Sequence, residues 1–348
     1  MTRPNQTFNS SAPRRCITLR LASFVLAGLV GWFAAGMGFS PLAMAAEDVA
    51  SYPNRSIRIV VPFSAGGTAD TLPRIVAEKL QERWGQAVVI ENRTGAGGNI
   101  GAQVVANSEP DGYTLLASPP GPIAINEALY KHLEFRPSDL EPVTVLGAVP
   151  NVLAVRPSFP AITARDFVQY VKENSGKVTF ASQGVGSTSH LAGVLFEKLT
   201  NSKMVHVPYR GSAPALQDLM GDQVDLLFDN LASSLPLNKA HKLRILAVAS
   251  PQRVSSLPDV PTVQEAGVPG FESTTWFAVM APPKTSAALI ERLNKAITEI
   301  LVQPDVKAKF AKIGVEPVGG TVAQTVKFIA EERLRWEGVI HDAKIQVN

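Results

Sequence analysis

Apolar positions along this chain alternate between two spacings. Ile57 to Phe63 is an apolar run of β type, and Leu72, Ile75, Val76, Leu80 and Trp84 then recur at helical spacing until Gly85. Ala87 to Ile90 reads as a second strand, Ala102 to Ala106 as a short helix, and Tyr113 to Ala117 as a third strand after the Asp111-Gly112 turn. That order is βαβαβ, which implies a parallel sheet with ligand sites at the carboxyl ends of its strands. From Pro142 to Pro157 the pattern changes to two short apolar runs, Val143 to Val149 and Val152 to Val155, set between prolines. A second α/β series follows, with strands predicted at Val178 to Ala181, Val205 to Val207, Val224 to Phe228 and Leu243 to Ala249. Helices are predicted at Leu191 to Leu199 and Ala213 to Met220, the latter with Pro214 in its first turn. Ser273 to Met280 reads as a return crossing, Thr285 as the cap of a helix over Ser286 to Val302, and Val322 to about His341 as a terminal helix.

The chain thus crosses twice between two α/β lobes. Residues 46–142 with 281–348 are expected to form one lobe, and residues 143–280, crossing segments included, the other. A chain of this length exceeds one ordinary core, which also favours two lobes.

Two strand-to-helix loops share one construction. Ser64-Ala-Gly-Gly-Thr-Ala-Asp70 follows the first strand, and Ser182-Gln-Gly-Val-Gly-Ser-Thr-Ser-His190 follows the first strand of the second series. Gly66 and Gly67 let the backbone turn sharply and approach a ligand, and the first N–H groups of the helix behind them have no intrahelical acceptor. Those donors and the helix dipole suit a carboxylate or phosphate. Thr68 and Asp70 can equally satisfy them as ordinary N-caps. Two such loops on opposite lobes would face each other across a cleft that closes on its ligand.

The first 45 residues hold Arg3, Arg14, Arg15 and Arg20 and no acidic residue. An apolar run from Leu21 to Phe39 follows, and then Ala43-Met44-Ala45. This order predicts a cleaved secretory signal peptide over residues 1–45, with an uncleaved transmembrane anchor as the alternative. Removing those four arginines from 33 basic residues leaves 29 against 30 acidic ones, a net charge of −1, so the basicity of the whole chain belongs to its leader. Neither a nucleic-acid surface nor a polybasic membrane patch is indicated. Cys16 is the only cysteine and lies in the leader, so the remainder has no disulfide or thiolate metal site.

The glycine segments do not match nucleotide fingerprints. G-x-G-x-x-G fails at Ile100 after Gly95 and at Ser189 after Gly184, and no G-x-x-x-x-G-K-[ST] occurs. Ser182, Ser187, His190 and Asp229 supply the residue types of a hydrolytic triad, yet no G-x-S-x-G elbow is present. An exported hydrolase using His190 and a loop serine is the enzymatic alternative. The five histidines show no metal-ligand spacing, and no metal or cofactor is expected. Trp276 in the return strand could stack on a ligand or pack in the core, and Phe63 could form a pocket wall or a core contact.

Tyr52-Pro53, Val61 to Asp70, Val89 to Gly101, Asp111 to Leu116, His206 to Ser212 and Leu257 to Thr262 together resemble the Bug/TctC family, the extracytoplasmic solute receptors of tripartite tricarboxylate transporters. The resemblance covers essentially the whole chain after the leader. It implies a type II periplasmic binding protein fold, two α/β lobes joined by two crossing segments with a cleft that holds a small carboxylate. Carried over by position, it implies ligand contacts from Phe63, Ser64, Gly66, Gly67 and Asp70 in the first loop and Gly184, Gly186, Ser187, Thr188 and His190 in the second, with Ser118 and Asp229 toward the distal part of the ligand. Pro119-Pro120 departs from the small polar residues expected there and favours a less polar distal group. The implied partners are membrane subunits of a tripartite transporter, or a sensor protein where no such transporter exists. A periplasmic monomer without catalytic activity is expected.

Overall fold

The computed structural model describes residues 51–343, so the expected signal segment and its Ala43-Met44-Ala45 cleavage site lie outside the described residues. Ten strands within that span form one mixed sheet. The first group is β1 (Ile57–Val61), β2 (Val88–Asn92) and β3 (Thr114–Ser118), with β1 parallel to both neighbours. Helix α1 (Thr68–Trp84) follows β1, α2 (Asn99–Ala106) follows β2, and α3 (Asn126–Leu129) follows β3.

Next comes β4 (Glu141–Val155), a strand of fifteen residues. The prolines suggest two short runs, and the structure joins them. Pro142 sits beside a break in register, and Pro150 is the last residue paired with the return strand before Asn151 takes a new partner. A residue without an N–H is tolerated at such points because no regular ladder bond is lost there. Each side of β4 then has its own company. Glu141 to Pro150 pairs with β9 (Thr274–Ala281), which in turn pairs with β3, while Asn151 to Val155 pairs with β7 (Leu226–Asn230) and β8 (Arg244–Val248). The second parallel group is β5 (Thr179–Ser182) with β6 (Val205–Pro208) and β7.

Helices α4 (Ala164–Glu173), α5 (Thr188–Thr200), α6 (Ser212–Met220) and α7 (Leu231–Lys239) accompany this second group. No helix is predicted directly after Asp229, yet α7 starts at once after β7. The chain closes with α8 (Ala287–Leu301), α9 (Pro304–Lys312), β10 (Glu316–Gly319) against β4, and α10 (Val322–Ala343). Ser286, not Thr285, caps α8 by accepting from Leu289 N–H; the Thr285 hydroxyl donates to Pro282 O instead. Apolar packing follows the sheet, with Phe167, Phe180, Phe196, Phe228 and Phe271 filling the core of the second group and Ile59, Leu72, Leu80 and Phe277 in that of the first. Trp276 is a core residue, buried beside Phe328 with its Nε1–H donated to Glu332 Oε2 at 2.8 Å.

Candidate functional site

The parallel strands β1, β5, β6 and β7 deliver their carboxyl ends to one place. Phe63, Ser64, Gly67 and Ala69 come from the turn between β1 and α1, and Pro119 follows β3. Gln183 follows β5, Gly211 and Ser212 follow β6, and Asn230 ends β7, with Phe277 of β9 beneath them. The cavity they enclose is about 10 Å³, room for one water and no more. Its narrowness comes from contacts between the two groups of strands. Ser64 N–H donates to Arg210 O at 3.0 Å, Thr68 N–H donates to Ser233 Oγ at 3.0 Å, and Tyr130 Oη–H donates to Val185 O at 3.3 Å. Gly211, at φ +135°, is required here because a Cβ would collide with Ser64 Oγ.

The helix end at this cavity carries no side-chain cap. Gly67 is the N-cap of α1. Two of the amides around it are taken by protein groups, Gly66 N–H by Asp70 Oδ2 at 3.0 Å and Thr68 N–H by Ser233 Oγ. Asp70 is itself tied to Arg74 Nε at 2.9 Å and to Asn92 Nδ2 at 2.9 Å, which makes it a brace of the loop. Burial pushes its carboxyl up, and the bonds from Arg74, Gly66 and Asn92 outweigh that and hold it below its ordinary value. Asp70 N–H donates to Gly67 O at 3.0 Å, so the amides left at this end of the seventeen-residue helix are those of Gly67 and Ala69, both in the cavity lining.

Across the cavity stands a buried polar cluster. Asp229 is fully buried, and its Oδ1 accepts from Gln183 Nε2 and Ser212 Oγ, each at 2.9 Å, while Oδ2 accepts from Ser234 Oγ at 2.7 Å. Burial pushes this carboxyl up and the surrounding donors oppose it. Among the described residues, the buried Ser64 Oγ and Asn230 Oδ1 have no hydrogen-bond partner. Both belong to this cavity. Unpaired buried polar atoms carry a cost of about 1 to 3 kcal/mol each, which a ligand group can relieve.

The second glycine loop meets different neighbours from those expected. It packs on Gly97, Asn126 and Tyr130, where a Cβ on Gly97 would strike Val185 O and one on Gly186 would crowd Asn126. The first loop faces Arg210 to Ser212 and Ser233 instead. Only Gln183 of the second loop lines the same cavity as Ser64 and Gly67. Several of its donors are used within the loop. Gly184 N–H goes to Ser182 Oγ at 3.1 Å, and Gly186 N–H to His190 Nδ1 at 3.4 Å. Ser187 caps α5 by accepting from His190 N–H at 3.2 Å and donates its own hydroxyl to Gly184 O at 2.6 Å. Thr188 Oγ1 lies 2.6 Å from Thr275 Oγ1, joining α5 to the return strand.

Of the residues singled out by sequence, the structure therefore gathers Phe63, Ser64 and Gly67 at the cavity and sets Asp229 directly behind Gln183 and Ser212. Gly66 borders a neighbouring groove with Thr71, Ala213 and Ser233. Asp70 braces the loop, the buried Ser118 hydroxyl donates to Pro119 O, and Gly184, Gly186, Ser187, Thr188 and His190 lie outside the lining. Gln183, Ser212 and Asn230 were missed, although each sits at the carboxyl end of a parallel strand, where a systematic reading of strand ends would have found them. Phe277, mid-strand in β9, offers no such signal.

His190 has no serine hydroxyl on its ring among the described residues. The ring stacks on His206 at 4.3 Å, and His206 Nε2 lies 2.7 Å from Ser182 Oγ. Burial lowers His190 to about 4, and burial together with the neighbouring His190 lowers His206 to about 3. Both rings are neutral at pH 7. A wider groove of about 590 Å³ lies where β4 changes partners, bounded by Pro150, Ser250, Arg253 and Glu316. Arg253 there is paired with Glu265 at 3.0 Å.

Comparison with known proteins finds relatives over most of the chain. The model of the TctC family, "Tripartite tricarboxylate transporter family receptor", matches residues 72–345. Protein BugT of Bordetella pertussis is 39% identical over 319 residues, 91% of this chain and 97% of that protein. A structure described as R. palustris Rpa4515 with adipate is 39% identical with a TM-score of 0.82, covering 85% of this chain and 99% of that one. MatC from Rhodopseudomonas palustris, with bound malate, is 33% identical with a TM-score of 0.79, covering 83% and 100%. The periplasmic binding protein BugD is 33% identical with a TM-score of 0.80, covering 85% and 99%.

Proposed function

From the premise that this chain belongs to the TctC family of tripartite tricarboxylate transporter receptors, we propose that it captures a small carboxylate in the periplasm and passes it to the membrane subunits of such a transporter. The observation that carries this reading is the uncapped N-terminus of α1 at a buried cavity, with Gly67 as N-cap and Ser64 Oγ left unpaired beside it. A carboxylate there would accept charge-assisted bonds of about 1.5 to 3 kcal/mol each, and a few of them reach the roughly 8 kcal/mol of micromolar binding. Adipate and malate in the two Rhodopseudomonas relatives are acids of this kind.

A cavity of about 10 Å³ cannot admit such an acid without movement. Residues 46–142 with 281–348 act as one lobe and residues 143–280 as the other, opening about the crossing strands β4 and β9. The Ser64 to Arg210, Thr68 to Ser233 and Tyr130 to Val185 bonds are the contacts that opening breaks. No step of chemistry is performed on the ligand. Residues 1–45 serve as a cleaved export signal.

The test is a thermal-shift screen of the protein, unfolded and refolded to strip bound ligand, against mono-, di- and tricarboxylic and aromatic acids. A ligand at about 100 times its dissociation constant adds roughly 2.7 kcal/mol, which raises the midpoint by a few degrees. One class of acid should do so while its amides do not. A folded protein that responds to none of the acids contradicts the reading.

A further inference from the structure

One side chain of α5 is buried by the other lobe. Leu191, the fourth residue of α5, is 3% exposed. It packs in a cluster with Ile125, Leu129, Trp336 and Ile340, and Tyr130 lies against them. Those five residues come from segments 46–142 and 281–348, and Leu191 alone of the cluster comes from 143–280. It fills a socket between α10 and the chain around α3. The second glycine loop meets the same patch by its backbone. Tyr130 Oη–H donates to Val185 O at 3.3 Å, and Gly97 and Gly186 let the two chains touch where a Cβ on either would collide with the other side. Asn126, fully buried, stiffens its side of the contact by donating from Nδ2 to Gly97 O at 3.2 Å and to Asn99 Oδ1 at 2.6 Å. None of these residues lines the cavity at α1.

We infer that this patch is a latch, which holds the lobes together whether or not a ligand is bound, and that its release sets how fast the acid enters and leaves. This rests on the two-lobe reading given above. No ligand group takes part in the patch, so its contacts favour the empty and the loaded closed states alike. Opening returns Leu191 and its socket to water, which apolar surface opposes, and it also breaks the bond from Tyr130. A closed cavity of about 10 Å³ passes no acid, so entry and exit both wait for that opening. The latch therefore slows both, whereas a contact to the ligand slows exit alone. Leu191 and Tyr130 thereby govern exchange without touching the acid.

Two variants weaken the latch away from the cavity, Leu191→Ala and Tyr130→Phe. Small-angle scattering from the ligand-stripped protein and stopped-flow kinetics with the most stabilising acid read them. The stripped parent should keep the radius of gyration of the acid-bound protein, and stripped Leu191→Ala should be larger and return to the parent value when the acid is added. Leu191→Ala should speed association and dissociation together, each at least about fivefold, through loss of the buried side chain. Tyr130→Phe should speed both at least about twofold, through loss of one hydrogen bond, and it is read alone if Leu191→Ala does not fold. Equilibrium affinity should change less than either rate, and the order of preference among acids should stay as in the parent. Folded variants with a lower urea midpoint and unchanged rates would give the patch a merely structural role and overturn the inference. A stripped parent as open as Leu191→Ala, or dissociation that speeds while association does not, overturns it as well. If no acid binds, the carboxylate reading falls, and the scattering of the stripped parent and variant still decides the latch.

Discussion

The two glycine loops are built to one plan and put to different uses. Ser64 to Asp70 and Ser182 to His190 each link the carboxyl end of a parallel strand to a helix, and each turns on glycine. Gly67 begins α1 without a side-chain cap, whereas Ser187 begins α5 with its hydroxyl on His190 N–H. That one position sets what takes the third amide of each helix, Gly67 O for Asp70 N–H in α1 and Ser187 Oγ for His190 N–H in α5. The second loop spends Gly184 N–H on Ser182 and Gly186 N–H on His190, and is held from outside by Tyr130 on Val185 O and Thr275 on Thr188. Glycine spacing thus reports where a backbone can turn; the N-cap residue reports whether the amides are available.

The strongest way to break this contrast is to give the first loop the cap it lacks. Gly67→Asp tethers a carboxylate at the N-cap of α1, a favoured residue type there, although a Cβ comes to 3.2 Å from Ser212 Cβ. Affinity for the acid found in the thermal screen should fall at least about tenfold by calorimetry, through loss of one or more charge-assisted bonds. A variant that binds as well as the parent would mean that the α1 amides are not the seat. The converse change, Ser187→Ala, removes the cap of α5 and should cost about 1 kcal/mol in urea unfolding while changing affinity less than about threefold.

A third effect separates the loops by pH. His190 and His206 have folded values of about 4 and about 3 against an ordinary 6.5, so below pH 6.5 the unfolded chain takes up protons that the folded protein refuses. Their contribution is intact above pH 6.5 and is lost as pH falls toward 4 and then 3. Asp229 works in the opposite sense, because a raised carboxyl favours the folded state as the medium becomes acid. The melting midpoint should fall between pH 6.5 and 4, and His206→Gln should flatten that slope. A slope identical in the variant would place the titration elsewhere. The smallest effect expected is from Trp276→Phe, which removes the Nε1 bond to Glu332 on the face of β9 opposite Phe277 and should lower stability with no measurable change in ligand affinity.

Much of the architecture was readable because periodicity is a local signal. The strand and helix of Ile57 to Trp84, the second α/β series and the terminal helix all appear near their expected places. What escaped depended on distant partners. Pro142 and Pro150 suggest breaks, yet β4 runs through both because its partners change there. Helix α7 holds Pro236 within it, a residue that argues against a helix in isolation. At the site, the anion-seat geometry of Gly66 and Gly67 was legible from two glycines before an apolar helix, and the difference between Gly67 and Ser187 was present in the letters as well. Which loop faces which was not, since Gly97 against Val185 and Gly211 against Ser64 are contacts of the folded chain. Gln183, Ser212 and Asn230 are ordinary polar residues in sequence, and their role emerges only when β5, β6 and β7 bring them beside Asp229.

The central claim is that the free amides at the N-terminus of α1 hold the ligand carboxylate. Backbone ¹H–¹⁵N spectra recorded while the ligand-stripped protein is titrated with the most stabilising acid address it directly. The account predicts that the Gly67 and Ala69 resonances move the most and that those of Gly184, Gly186 and His190, already bonded within their own loop, move less. Large shifts at Gly184, Gly186 and His190 with Gly67 and Ala69 unmoved would contradict it.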